Sequence, residues 1–115
     1  MEGAVWAVTD EEVANDLSSA YARMAGLGQT YGVVGNHDSC PVNSFPPAAV
    51  DTTISSDWVY SNLSTEWESS IGSTASEEVV STYGCYSVID STTGLRLISL
   101  NTNFWYKVCS IQVNL

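Results

Sequence analysis

The apolar positions of this chain change rhythm twice, and each rhythm predicts a different element. Val13, Leu17, Ala20, Tyr21 and Met24 recur at helical spacing and share one face. Thr9-Asp-Glu-Glu12 in front of them has the pattern of a capping box. There the Thr9 hydroxyl accepts from the Glu12 backbone, and the Glu12 carboxylate reaches back to Thr9. Acidic residues in a first turn also suit the positive end of the helix dipole. Gly26 and Gly28 end the pattern. Met1 to Ala7 is apolar and opens without a cap, and Tyr31 to Val34 reads as a short buried strand. Helix, loop and strand in that order make half of an α/β unit.

Residues 39–57 predict a long loop, because Pro41, Pro46 and Pro47 forbid a regular helix or a central strand. An aromatic beside two prolines, as Phe45 is, serves as a loop anchor more often than as a pocket wall. A second helix is expected from Ser56 or Asp57. Its buried face is Val59, Leu63 and Trp67, four apart, flanked by Trp58 and Tyr60. Core packing explains these aromatics better than lipid contact does. Ser69 to Ser76 reads as a polar linker, and Ser76-Glu-Glu-Val-Val80 as one helical turn. Cys85 to Ile89 and Leu95 to Leu100 then read as two strands, joined by the turn residues Asp90-Ser-Thr-Thr-Gly94. Leu95, Leu97, Ile98 and Leu100 are nearly continuous, which predicts a strand buried on both faces. Arg96 within that run needs a partner or a route to solvent. The expected class is α/β, with two helices packed on a few mainly buried strands. No internal repeat is visible.

Composition narrows the function. The chain has 115 residues, enough for one domain or part of one, and 44% are hydrophobic, as in a folded chain. Thirteen acidic residues face three basic ones, a net charge of -10. So few cations cannot neutralise phosphates, which argues against nucleic acid and against attraction to anionic lipid. A neutral or zwitterionic substrate is compatible. Cys40, Cys85 and Cys109 are an odd set, and their spacing suggests neither a zinc knuckle nor a particular pairing. No apolar stretch is long enough to span a bilayer, and no signal peptide precedes the first helix. Asn62-Leu63-Ser64 is an N-glycosylation sequon.

The candidate chemistry lies in Tyr31-Gly-Val-Val-Gly-Asn-His-Asp38. His37 is the only histidine. Loops at strand ends are where rigid scaffolds aim reactive side chains. Gly35 permits a sharp turn. Asn36 offers a carbonyl oxygen to a cation, and His37 offers a nitrogen for a metal or a proton. Asp38 is placed to hold the ring of His37 in one tautomer. From spacing alone, such a pair is more often a hydrogen-bonded loop than a metal site.

Gly35-Asn36-His37-Asp38 resembles the Gly-Asn-His-Asp/Glu block of the calcineurin-like metallophosphoesterases. Its extension Ser39-Cys-Pro-Val-Asn-Ser-Phe-Pro-Pro47 is similar to the segment that follows it in acid sphingomyelinases. Gly84-Cys-Tyr-Ser-Val88 and Gly94-Leu-Arg-Leu-Ile-Ser-Leu-Asn-Thr-Asn-Phe104 look like that family too, in the same order. Asn101-Thr-Asn-Phe-Trp-Tyr106 resembles the fungal-type members most. The resemblance covers about Ala4 to Tyr106. It implies an incomplete piece of a layered αββα sandwich, with residues 1–106 as a central fragment of the domain. It also implies a hydrolase with two zinc ions that converts sphingomyelin to ceramide and phosphocholine. Asn36 would be a metal ligand, and His37 would sit by the leaving oxygen. An extracellular, secreted or lysosome-like setting goes with the family.

The departures from the family are as informative. Its first Asp-x-His/Asp block, its Gly-Asp block and its later His and Gly-His-x-His blocks have no match here. The Gly-Asp block is expected upstream of Met1, and the histidine blocks beyond Tyr106. A catalytic zinc takes about three protein ligands, so the fragment alone is expected to be inactive and to expose apolar surface. Residues 107–115 do not resemble the family. Val108-Cys109 fits translation of a common fungal splice donor, so this tail reads as intron read-through. The rival expectations are a metallophosphoesterase for nucleotides or other phosphodiesters, and a non-enzymatic truncated product or interaction module.

Overall fold

The computed structural model describes residues 9–39, 43, 45 and 55–105. The expectations for Met1–Ala7, Cys40, Pro41, Pro46, Pro47, Cys109 and the tail 107–115 lie outside the described residues. The order of elements is α1 (Asp10–Met24), α2 (Asp57–Ile71), α3 (Ser73–Ser81), β1 (Tyr86–Ile89), β2 (Arg96–Ser99) and a 3-10 turn at Thr102–Trp105. This is a mixed α/β arrangement, as an incomplete piece of a larger domain would show.

The capping box forms as the sequence predicts. Thr9 Oγ1 accepts from Glu12 N at 3.2 Å, and Glu12 Oε2 accepts from Thr9 N at 2.8 Å. These bonds hold the Glu12 carboxyl below its ordinary pKa, the one to the Thr9 backbone most. Val13, Leu17 and Tyr21 are half-buried, whereas Ala20 and Met24 face solvent. So α1 lies over the core without entering it.

The core is built on α2. Val59, Tyr60, Leu63, Trp67 and Ile71 are buried, and Phe45 joins them from the proline-rich loop as an anchor. A fully buried side chain of this size stabilises by about 1.5–3 kcal/mol. Tyr21 meets the Trp67 ring edge-on at 6.0 Å, and Tyr86 packs on it at 5.7 Å.

The polar linker expected at Ser69–Ser76 does not exist. Helix α2 runs to Ile71, and Gly72 alone, at φ 82°, turns the chain into α3. Packing overrides the weak helix propensity of the serines here. Ala75 and Ser76 are buried. The Ser64 and Ser76 hydroxyls lie 2.7 Å apart, each also donating to the other residue's carbonyl at 2.9 Å. Small side chains let the two helices come this close. The third helix is therefore a full element rather than one turn.

The hairpin is antiparallel, with Tyr86 opposite Ser99 and Val88 opposite Leu97. Asp90 shapes its turn by accepting from the backbone of Thr92 and Thr93. The expectation of a strand buried on both faces fails. Only the face with Tyr86, Val88, Leu97 and Ser99 is covered, while Leu95, Ile98 and Leu100 are exposed. The sheet has two strands and a single packed side, so every second residue faces out. Arg96 finds its route to solvent on that outer face and donates to Ser87 Oγ at 3.3 Å.

Candidate functional site

Residues 31–34 form no strand, contrary to expectation. No neighbouring strand among the described residues offers them a ladder, and Val33 is exposed. Side chains tether the segment instead, one residue after another. Gln29 Nε2 donates to Ser70 O, and Tyr31 donates its hydroxyl to Asp90 Oδ1 at 2.8 Å. Gly32 O accepts from Tyr86 Oη at 2.9 Å and from Ser99 Oγ at 3.2 Å, both on the inner face of the hairpin. Val34 O accepts from Asn103 Nδ2 at 3.1 Å. A backbone carbonyl needs a partner when it lies against a core, and here amides and hydroxyls supply it.

The turn that follows is closed from both sides. Asp38 N donates to Gly35 O at 3.1 Å, and Gly35 N donates to Asp38 Oδ2 at 2.7 Å. Burial raises the pKa of Asp38, against the pull of the Gly35 N–H and of the His37 charge. The carboxylate is thus bonded to backbone, and among the described residues it makes no hydrogen bond to the ring of His37. Asn36 and His37 both stand exposed at the tip.

Asn43 completes the geometry. Its N–H donates to Asn36 O at 2.9 Å, and its Oδ1 accepts from Asn36 Nδ2 at 3.1 Å. The amide nitrogen of Asn36 is engaged by this bond, which leaves Oδ1 as the atom it can present to a cation. Asn43 has φ 63°, a left-handed conformation that asparagine tolerates better than most residues. Spacing gave no sign of this pairing. An asparagine between Pro-Val and Ser-Phe in a loop was the available signal.

Among the described residues, no three His, Cys, Asp or Glu side chains gather as a metal site requires. Asn36 Oδ1 fits the chemistry of one ligand, and Asp38 is committed to Gly35. Cys85 forms no disulfide among the described residues, and its sulfur accepts from Asn101 N at 3.3 Å. Asn62 lies half-buried within α2, and the Ser64 hydroxyl of its sequon is paired with Ser76. A cavity of about 140 Å³ lies between α1 and α2, lined by Tyr21, Thr30, Glu66 and Trp67 among others. None of residues 35–38 lines it. No described helix is long and apolar enough to cross a membrane.

No protein-family model matches the chain. Comparison with characterised proteins is informative. The chain is 36% identical over 103 residues to sphingomyelin phosphodiesterase of Homo sapiens, a stretch covering 87% of the chain. It is 35% identical over 88 residues to the Bos taurus sphingomyelin phosphodiesterase, covering 76% of the chain. Over 77 residues it is 36% identical to sphingomyelin phosphodiesterase B of Dictyostelium discoideum, covering 66% of the chain. The matched stretches span only 16%, 14% and 11% of those relatives.

Proposed function

We propose that the chain is the segment of a sphingomyelin phosphodiesterase-type hydrolase that carries one metal ligand and one proton donor. The similarity over 103 residues to the human enzyme carries this reading. The exposed Asn36–His37 tip, braced by Asn43 and Asp38, is the part of the chain suited to it. In this reading the enzyme is a zinc-dependent metallophosphoesterase of fungal type, in an extracellular or lysosome-like compartment. Asn36 Oδ1 supplies one zinc ligand among others outside this chain, and zinc supplies charge stabilisation on the phosphate. His37 acts on the leaving group. As the water oxygen bonds to phosphorus, the phosphorus–oxygen bond to ceramide breaks, His37 gives a proton to the departing alkoxide, and the proton shed by the water passes to solvent, from which His37 is reprotonated. The products are ceramide and phosphocholine. On this reading the isolated chain is expected to be inactive, since a catalytic zinc takes about three protein ligands and no such cluster forms among the described residues.

The test is a chimera in which residues 4–106 replace the matching stretch of the human enzyme, with and without His37→Ala. The folded chimera is expected to hydrolyse sphingomyelin, and the isolated chain is not. General acid help is worth on the order of a hundred- to ten-thousand-fold, so His37→Ala lowers sphingomyelin turnover by that much. A nitrophenyl phosphodiester, whose leaving group needs no proton, loses far less. A chimera with native melting behaviour and no phosphodiesterase activity would defeat the reading. Equal losses on both substrates would defeat the acid role of His37.

A further inference from the structure

The Asn101-Thr-Asn-Phe104 block has no part in the chemistry described above, yet one of its asparagines, Asn103, reaches the segment that bears the site, and the other, Asn101, holds it. Asn103 Nδ2 donates to Val34 O at 3.1 Å and to Asn101 Oδ1 at 2.8 Å. The Asn103 N–H also donates to Asn101 Oδ1, at 3.1 Å. Asn101 is 3% exposed, and its Nδ2 donates to Tyr83 O at 2.9 Å. Both amides are therefore fixed in one orientation, with their donors and acceptors assigned.

The side chain of Val34 is held as firmly as its carbonyl. A Cβ added at Gly84 would lie 2.5 Å from Val34 Cγ2, so Val34 packs directly on the backbone at Gly84. Gly84 is also left-handed, at φ 91°. Val34 is thus gripped at two points by the segment on either side of the hairpin. The next residue is Gly35, where the turn bearing Asn36 and His37 begins. Nothing else among the described residues bonds to the Val34 carbonyl.

We propose that Asn103, oriented by Asn101, is a positioning residue that fixes the Asn36–His37 turn relative to the hairpin through the carbonyl of Val34. What the turn does chemically rests on the hydrolase reading, but its being positioned this way does not. Asn103 touches neither substrate nor the reacting atoms. Its effect is to keep the turn from swinging about Val34, which preserves the orientation that a proton donor needs.

Amide hydrogen exchange on the labelled 115-residue chain tests this. The amides of Asp38 and Asn43, which bond within the turn, report its order. Leu63 and Trp67 in α2 report the fold. A net hydrogen bond of about 1 kcal/mol corresponds to a five- to tenfold change. In Asn103→Ala, exchange at Asp38 and Asn43 is expected to quicken by about that factor, with α2 amides within about twofold. The exposed neighbour Thr102→Ala should change neither. Asn103→Ser, which keeps a donor of shorter reach, should fall between wild type and alanine, and it decides the matter if alanine does not fold. Unchanged exchange in the turn would overturn the proposal. So would equal quickening in α2, which would make Asn103 a support of the whole fold. In the chimera, Asn103→Ala should lower kcat on sphingomyelin by about tenfold and leave KM within about twofold. If no chimera turns over, the hydrolase reading fails, while the exchange result stands or falls alone.

Discussion

Helices α2 and α3 and the segment 29–38 lie against each other, yet they are held by different physics. The helices are held by burial. Val59, Leu63 and Val79 are fully inaccessible, and Trp67 is 2% exposed. Their contacts are non-directional and add up with area. In the site segment only Val34 is buried, and it keeps 7% exposure. It is held by directed bonds: the Tyr31 hydroxyl to Asp90, those of Tyr86 and Ser99 to Gly32 O, and the Asn103 amide to Val34 O. Burial makes a region stable. Directed bonds from several elements make a region placed, because each fixes a distance to a different neighbour. On the function proposed above, the Asn36–His37 tip needs placement more than depth, since both side chains would have to stay in solvent to meet a substrate.

The largest expected effect breaks the helical side of this contrast. Trp67 touches the rings of Tyr21 and Tyr86, and so joins α1, α2 and β1. Replacing a buried tryptophan by alanine leaves a cavity that costs about 3–5 kcal/mol. Trp67→Ala should therefore consume most of the stability of a domain this small, read as a fall in the urea midpoint. Ile98, 67% exposed on the outer face of the hairpin, gives the opposite case. Ile98→Ala should stay within about 0.5 kcal/mol of wild type. Comparable losses for the two would mean that the outer face is covered in solution.

What could be read in the sequence follows the same division. The helical face Val59-Leu63-Trp67 and the capping box at Thr9 were legible because helical periodicity and capping are local. The hairpin was legible because Asp90 to Gly94 has turn chemistry. The burial of β2 was not, since an apolar run cannot show how many faces will be covered. The Tyr31–Val34 strand was misread for a related reason: extended backbone becomes a strand only where a neighbour pairs with it. Helix α3 is legible only as the turn Ser76–Val80, and its start at Ser73 is not, because serine and threonine disfavour helix until Ala75 and Ser76 pack on α2. At the site, Asn36, His37 and Asp38 drew notice by residue type. Asn43 and Asn103 did not, because their roles depend on contacts seven and sixty-nine residues away.

A mutation of intermediate size sharpens the contrast at the point where the two regions meet. Gly32 lies against the indole of Trp67. A Cβ there would come within 2.2 Å of Trp67 Cε2 and 2.4 Å of Nε1. The indole is rigid and buried, so the backbone must move instead. Overpacking of this kind costs about 1–3 kcal/mol. Gly32→Ala should lower stability by that amount and also loosen the bonds that Gly32 O accepts from Tyr86 and Ser99. Gly26 is the control: a Cβ there meets nothing within 4 Å. Gly26→Ala should be neutral, or stabilise by up to about 1 kcal/mol through the unfolded chain. Equal effects of the two substitutions in thermal melts would show that Gly32 is not clamped on Trp67.

The smallest expected effect concerns Asp38, where the two kinds of force oppose each other in one side chain. Burial disfavours its charge and raises its pKa, while the Gly35 N–H and the charge of His37 favour the carboxylate. The net direction is upward, so between the unfolded and folded pKa values the folded chain binds more protons than the unfolded one. Stability then falls as pH rises through that window, the reverse of a salt-bridged carboxylate. At neutral pH the ionised Asp38 remains a modest cost. Asp38→Asn removes the charge, yet its Oδ1 can still accept from Gly35 N–H. The variant should therefore be at least as stable as wild type at pH 7. Its advantage should shrink as the pH is lowered through the folded-state pKa, where wild-type Asp38 takes up its proton. Denaturant midpoints for both chains across the acid range give the measurement. A variant that is less stable at pH 7, with the gap closing in acid, would show the bond to Gly35 outweighing burial. The turn would then be held by charge, as the rest of its segment is held by directed bonds.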